Sequence, residues 1–472
     1  MHRHRKSVCS AIAAIAVGML FFLQPPKASA IPAFARKYQT SCATCHNDFP
    51  ELNDFGEAFK KNGFRFPKDD ETYVKEPPVL LGAKALRQVF PDAIYPGEIP
   101  GSVPIGFRYS GFTQYRNRQP LQLGFVPRTD LFAPNTFTII AAGTFSPTIS
   151  FWIDDDVSSG GSGADGGLGD GYLKVDDIGH YLRLPKNALN VRFGQFELDL
   201  PFTQARGINL SSYDIYEQAA SAGVLGTTAN PFVFSETQRG VEIGGYPNNG
   251  NFEWSFSLLN GNNSDPASRN SKDIYFRVSQ RFNLERDPKQ RAEVQAAGPA
   301  GPRDHTSIRF GFFGYHGKNA LNLNRVDFPE FGTIYEPFYR LGGDVRFKYR
   351  QLEIYGLGMF GHDTNLIPDA DTLTLQHGVP VTFSGGFGQA EYWFYPWLIG
   401  IMRYDLVNSP ADFYNGVSQH FSRNRFSPGF QILVRANIKV AFEYQRSWAQ
   451  PVGDTGLFFR PNGFQLGIDY AF

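Results

Sequence analysis

From about residue 104 onward, polar and apolar positions alternate with a period of two, the signature of strands whose two faces meet different surroundings. The last segment, FQLGIDYAF, is the clearest. Phe464, Leu466, Ile468, Tyr470 and Phe472 share one face, while Gln465, Gly467, Asp469 and Ala471 share the other. In YRLGGDVRFKY, Leu341, Val345, Phe347 and Tyr349 oppose Asp344, Arg346 and Lys348. In IKVAFEYQR, Ile438, Val440, Phe442 and Tyr444 oppose Lys439, Glu443 and Gln445. VRFGQFEL, RGVEIGGY, SKDIYFRVSQRF and SIRFGFFGY repeat the pattern less cleanly. About sixteen such strands fit between Pro104 and Phe472, an even number as closed bacterial membrane barrels have. Tight periplasmic turns at Ser146-Pro147, Arg350-Gln351, Tyr395-Pro396 and Ala436-Asn437 alternate with long polar outer loops such as 158–171 and 199–236. The connection 283–306 breaks this rhythm, being long on the side that should be short.

A soluble sandwich or lipocalin-like barrel would turn its apolar face inward. The ionic residues that share a face in these strands do not suit a dry core. A membrane barrel reverses the arrangement, apolar toward lipid and polar toward the lumen. A terminal Phe on the final strand is also the form that outer-membrane insertion machinery reads. The expected fold is therefore mainly β: a transmembrane antiparallel β-barrel of about sixteen strands over residues 104–472. No stretch after Ala30 reads as a membrane helix.

The start of the chain differs. Arg3, Arg5 and Lys6 precede the apolar run AIAAIAVGMLFFL, and Ala28-Ser29-Ala30 forms a small-residue cleavage site, so residues 1–30 are expected to be an export signal. The run is short for a span of ~20 residues, and prolines follow it at once. Among 472 residues there are 45 basic and 45 acidic, which gives no charge bias toward nucleic acid. The 45 Phe, 22 Tyr and 49 Gly suit a β-rich chain with aromatic membrane interfaces. Removal of residues 1–30 takes Cys9 and leaves Cys42 and Cys45 alone, in a chain bound for an oxidising compartment.

Those two lie in Cys42-Ala43-Thr44-Cys45-His46, the form of a c-type haem attachment site. Two thiols at this spacing take up the haem vinyl groups, and the adjacent histidine reaches the iron from the proximal side. A redox dithiol would need a thioredoxin-like strand and helix around it. A structural zinc would need two further ligands, and residues 31–100 hold no other Cys or His. One haem c is the expected cofactor, with His46 as proximal ligand.

After the motif, Leu52, Phe55 and Phe59 fall at helical spacing and Gly63 closes the run, a short amphipathic helix suited to covering one haem face. Residues 31–103 then read as a monohaem cytochrome c-like segment and linker. The part up to Pro67 is below the ~40 residues at which domains fold unaided. It is expected to enter the barrel from the periplasmic side and plug the lumen, whose wall completes the haem cover. The sixth iron ligand stays open. Strand parity turns Met359 inward with Glu353, Tyr355 and Leu357, and makes it the first candidate. His180 is the second. Parity also turns Arg403 and Asp405 inward and Met402 toward lipid. Arg36, Lys37, Lys60 and Lys61 are candidates for the haem propionates or for an acidic partner. Asp154, Asp155 and Asp156 read as solvated charges at the outer rim, with cation gathering as the sharper alternative.

The segment PAFARKYQTSCATCHNDFPELNDFGEAFKKNGFRFP resembles the N-terminal signature of the fused outer-membrane cytochrome–porins, best known from iron-oxidising bacteria. The likeness rests on Pro32, Phe34, Ala35, Arg36, Cys42, Cys45, His46, Pro50, Leu52, Phe55, Gly56, Phe59, Lys60 and Gly63. It implies an electron conduit in the outer membrane, oxidising extracellular Fe(II) and passing the electron to a periplasmic carrier such as a soluble cytochrome. Three other functions remain open: a diffusion porin with a structural or regulatory haem segment, electron export to an outside acceptor, and a haem-dependent enzyme of the peroxidase kind.

Overall fold

The computed structural model describes residues 33–66, 70–75, 79–80, 88–89, 98–99, 104–121, 124–146, 148–159, 167–203, 209–217, 230, 232–261, 271–284, 306–322, 332–364, 366–369, 372, 374–377, 380–408, 411–414, 417–420, 423–448 and 462–472. The expected export segment 1–30, Pro147, the middle of the 158–171 loop and most of 283–306, His305 included, lie outside these.

Sixteen strands close on one another. They are β1 (Ile105–Leu121), β2 (Gly124–Ser146), β3 (Ile149–Ser159), β4 (Gly167–Val175), β5 (Asn190–Phe196), β6 (Gln238–Gly245), β7 (Phe252–Leu259) and β8 (Asp273–Asn283). The circuit continues through β9 (Ser307–Asn322), β10 (Thr333–Tyr349), β11 (Leu352–Asp363), β12 (Val381–Tyr395), β13 (Leu398–Asn408), β14 (Arg423–Arg435), β15 (Ile438–Gln445) and β16 (Gly463–Ala471). Every neighbour is antiparallel, and β16 closes the cylinder on β1 with Asp469 opposite Ser110 and Ala471 opposite Arg108. Turns at 350–351, 396–397 and 436–437 join strands at the end where β1 begins and β16 stops.

Alternation sets which face each residue takes. Met402 is 62% exposed, whereas its neighbour Arg403 is 1% exposed and Asp405 fully buried. Phe464, Leu466 and Ile468 point out, while Gln465 and Asp469 point in. Leu341 and Val345 face out, and Asp344 and Lys348 face in. Charge lines the interior and hydrocarbon the exterior, the reverse of a water-soluble fold. Exposed Tyr392, Phe394, Tyr395 and Trp397 cluster at one turn, as interfacial aromatics do. Among the described residues no helix is long and apolar enough to cross a membrane.

Two pieces of chain fill the lumen. The first is the N-terminal segment, with helix α1 (Ala33–Tyr38), a 3-10 turn over Cys42–Thr44, a short strand pair and helix α2 (Asp54–Lys61). Phe34, Tyr38, Phe59, Phe64 and Phe66 pack together and reach the wall where Phe64 stacks on Trp152 of β3 at 5.6 Å. Ion pairs fasten the segment to other strands: Lys61 to Glu253 on β7 at 2.5 Å, Asp54 to Arg281 on β8 at 3.3 Å, and Asp54 to Lys348 on β10 at 2.9 Å. Gly63 ends α2 with a φ of +69°, and a Cβ there would lie 2.3 Å from the Asp176 carboxylate.

The second piece corrects an expectation. The segment 199–236, read as an outer loop, folds inward over its described part. Leu198, Leu200, Phe202, Tyr213, Ile215, Tyr216, Phe232 and Phe234 form an aromatic-rich core with inward residues of the wall. Wall ions pin it. Arg403 donates to the Ser211 carbonyl at 2.9 Å, Arg425 donates to the Ser212 carbonyl at 2.5 Å and pairs with Asp214 at 3.0 Å, and Glu443 accepts from the Ser211 amide at 3.3 Å.

Candidate functional site

The Cys-Ala-Thr-Cys turn is built by local chemistry. Ser41 caps it, its hydroxyl accepting from the Ala43 amide at 3.3 Å, and the Cys45 amide donates to the Cys42 carbonyl at 3.1 Å. In a 3-10 turn, side chains three residues apart eclipse, so Cys42 and Cys45 fall on one side. Both are free thiols.

Asn53 ties this turn to α2. Its carbonyl oxygen caps the helix by accepting from the Gly56 amide at 2.8 Å, while its amide group donates to the Thr44 carbonyl at 3.1 Å and the Ala43 carbonyl at 3.4 Å. Its own backbone amide donates to the Cys45 carbonyl at 2.9 Å. Gly56 permits the contact, since a Cβ there would lie 2.0 Å from the Cys45 carbonyl oxygen. Sequence reasoning missed the role of Asn53. The signal was present as an Asn directly before Asp54 and Glu57 in a helix's first turn.

His46 shares a hydrogen bond between Nδ1 and the Pro50 carbonyl oxygen at 3.2 Å, and its ring lies 5.1 Å from that of Phe49. With Nδ1 so engaged as donor, Nε2 carries the lone pair, the arrangement that orients a ligating histidine. Burial pushes the imidazole down to about 4, so it stays neutral at pH 7, as a metal ligand must be. Burial raises the Cys42 thiol and pushes Cys45 up to about 12. A redox dithiol depends on depressed thiol values, so these surroundings disfavour that reading.

Cys42, Cys45 and His46 line one cavity of about 920 Å³, bounded otherwise by Phe34 and Phe59 of the plug, the lumen loop's Tyr213, and inward wall residues. Its volume is at the upper end of the ~300–1,000 Å³ usual for cofactor and ligand pockets. The motif, the cavity volume and the neutral imidazole fit a haem c.

The two proposed sixth ligands are not brought to this cavity. Met359 faces inward as parity required, yet it is buried in the aromatic core around the lumen loop. His180 is exposed on the short turn Ile178–Leu182. His316 is exposed on the outer face and His377 is exposed on a hairpin. His362 stacks on Tyr339 at 4.9 Å. Among the described lining residues His46 is the one histidine, and no methionine is present.

Asp154 and Asp156 also depart from expectation. Both line the cavity rather than standing as solvated rim charges. Trp152 donates to Asp154 at 3.1 Å, and Thr138 donates to Asp156 at 2.5 Å. Among the described residues no carboxylate, histidine and cysteine group has metal-site geometry.

A second cavity of about 330 Å³ lies alongside, with Leu52, Lys60, Glu197, Leu200, Thr203 and Tyr213 lining both. Its ionic lining includes the α2 anchors. Burial pushes Asp54 up, but Lys348 and Arg281 outweigh it and hold the carboxyl well below the usual range. Glu51 is pushed up to about 7 by burial and by Glu353, against the pull of Arg346.

No family model matches the sequence, and no curated protein matches it. Solved structures of outer-membrane channels share the barrel. The channel DcaP of Acinetobacter baumannii aligns at 12% identity and a TM-score of 0.47, over 78% of this chain and 96% of its own. An anion-selective porin from Comamonas acidovorans gives 12% and 0.47, over 78% and 98%. Salmonella typhi OmpF, in a complex with daunomycin, gives 10% and 0.47, over 78% and 97%.

Proposed function

We propose that this protein is an outer-membrane barrel whose lumen plug carries one covalent haem c and passes electrons across the membrane. The observation that carries the reading is the meeting of Cys42, Cys45 and His46 on a single cavity of about 920 Å³ bounded by the plug, the lumen loop and the barrel wall. Cys42 and Cys45 supply the thioether sulfurs, and His46 presents Nε2 to the iron while Pro50 fixes its ring. The bound haem supplies a one-electron ferric/ferrous couple. Phe34, Phe59, Phe64 and Tyr213 restrict water at the cavity, and the wall charges tune the potential. The N-terminal resemblance points to extracellular Fe(II) as donor and a periplasmic carrier, such as a soluble cytochrome, as acceptor.

The test is spectroscopic. Purified full-length protein carries covalent haem that Fe(II) reduces, and Cys42→Ala with Cys45→Ala abolishes attachment. Covalent haem that Fe(II) does not reduce at any pH between 3 and 7 would remove the iron donor. A strongly negative midpoint potential would favour electron export.

A second reading, solute diffusion, draws on the two adjoining cavities, which are separated by a layer of shared side chains. It requires steady single-channel conductance in planar bilayers from the full-length protein; a closed lumen gives none.

A further inference from the structure

We propose that Lys439 on β15 and Arg108 on β1 bind the haem propionates, so that the barrel wall itself holds the anionic edge of the cofactor. The inference rests on the haem reading above. Both cations line the cavity that contains Cys42, Cys45 and His46. They lie on strands joined through β16, where Asp469 is directly opposite Lys439 and Ala471 is opposite Arg108.

Lys439 is the stronger indication. It is 5% exposed, and among the described residues its ammonium makes no hydrogen bond. The carboxylate paired with it, Asp48 of the plug, is 3.9 Å away, beyond hydrogen-bond reach. Asp48 in turn has both oxygens buried without a donor among the described residues. An ammonium that opens on a cavity with N–H donors unused offers them to an acceptor entering there. An anion in the adjoining cavity is that acceptor. Arg108 already forms two bonds to Asp469, at 3.1 and 2.7 Å, and its guanidinium lies 5.5 Å from the Phe49 ring centroid. It serves as the second cation, with Asp469 holding its fork in place.

The cations of the plug fit the role less well. Lys61 is paired with Glu253 at 2.5 Å, and Arg36 donates to the Ile105 carbonyl at 2.7 Å. Neither these two nor Lys37 lines the cavity. Lys60 does, with its ammonium 5.2 Å from the Trp152 ring centroid. The groups facing Lys439 and Arg108 are therefore Asp48 and His46 from the plug, Asp469 from β16, and Asp154 and Asp156 of β3 across the cavity. A propionate beside Lys439 stays ionised through neutral pH, because the neighbouring cation favours its charged form.

The experiment compares wild type, Lys439→Gln, the double variant Lys439→Gln/Asp48→Asn and Lys439→Arg, all full length in detergent. Heat-modifiable gel mobility checks barrel closure. The double variant replaces both charges with neutral groups, which guards against a folding defect from an uncompensated Asp48. Expected results are covalent haem retained in all four, and an approximately tenfold lower ferrous-to-ferric ratio at fixed potential in Lys439→Gln, with a smaller change in the double variant, where loss of the Asp48 charge offsets loss of the Lys439 charge. The tenfold change corresponds to a midpoint lower by about 59 mV for a one-electron couple. The double variant, which has no Asp48 carboxylate to titrate, gains a pH dependence between 5 and 8 beyond that of wild type and Lys439→Arg. The pH dependence is decisive, because a lysine that merely supports the wall would not hold a propionate ionised. Covalent haem with an unchanged potential in Lys439→Gln and an unchanged pH profile in the double variant overturns this proposal alone. Wild-type protein without covalent haem overturns the haem reading, and this proposal with it.

Discussion

Replacing Asn53 by alanine should uncouple the Cys-Ala-Thr-Cys turn from α2 while leaving the barrel closed. The side chain caps α2 through the Gly56 amide at 2.8 Å and holds the Thr44 carbonyl at 3.1 Å, with a longer contact to Ala43 at 3.4 Å. Loss of an N-cap costs about 1 kcal/mol. Counting the two donor contacts as one effective hydrogen bond adds about 1 kcal/mol. Together that is about 2 kcal/mol, or roughly a thirtyfold higher population of locally opened plug. Hydrogen–deuterium exchange of peptides spanning Cys45–Phe66, measured on the folded barrel, reads this opening directly. Exchange in strand peptides such as Leu398–Asn408 should not change. Asn53→Asp sharpens the test: it keeps the cap acceptor but sets a carboxylate against the Ala43 and Thr44 carbonyls, so it should open the plug as well. Plug exchange within about threefold of wild type in both variants would show that Asn53 does not hold the turn to the helix.

Other consequences are equally open to measurement. Gly56→Ala gains about 1 kcal/mol of helix propensity, but its Cβ would meet the Cys45 carbonyl oxygen at 2.0 Å. Overpacking against backbone costs about 1–3 kcal/mol, so the plug should become protease-sensitive; full protection would contradict this. Asp54 has a depressed carboxyl, so its contribution to docking is complete above its unfolded value of about 3.9 and fades only as pH falls through the lower folded value. Protease protection of the plug should therefore persist from pH 7 to about 4, and Asp54→Asn should weaken it across that whole range. Arg425→Gln removes the bonds to Ser212 and Asp214, loosening the lumen loop, and should raise single-channel conductance in planar bilayers. An unchanged conductance would show that this loop does not close the lumen.

Much of the barrel was legible because each strand face meets a single environment. Alternation placed Met402 outside, and Arg403, Asp405, Glu353 and Met359 inside, from sequence spacing alone. Parity gives the face of a residue but not its depth along the cylinder. That is why Met359 faces the lumen yet packs in the aromatic core rather than at the cavity of Cys42, Cys45 and His46. The inward fold of 199–236 was hidden for a related reason. Its anchors are Arg403, Arg425 and Glu443, nearly two hundred residues or more away in sequence, so no local pattern marks it. Asp154 and Asp156 looked like rim charges because strand ends are hard to place; Trp152 shares the β3 face of Asp154, while Thr138 meets Asp156 only once β2 and β3 pair. Cys42, Cys45 and His46 stood out by their spacing; Asn53, Gly56 and Lys439, which position them or face them, needed the three-dimensional arrangement.

The closure of β16 onto β1 also fixes an order of manufacture. Once that seam has formed, Cys42 and Cys45 are inside a cylinder fastened by Lys61, Asp54 and Lys348, out of reach of any enzyme large enough to join a porphyrin to a polypeptide. On the haem reading proposed above, attachment belongs to the unassembled chain, and the barrel would be wrapped around a finished cofactor rather than loaded with one.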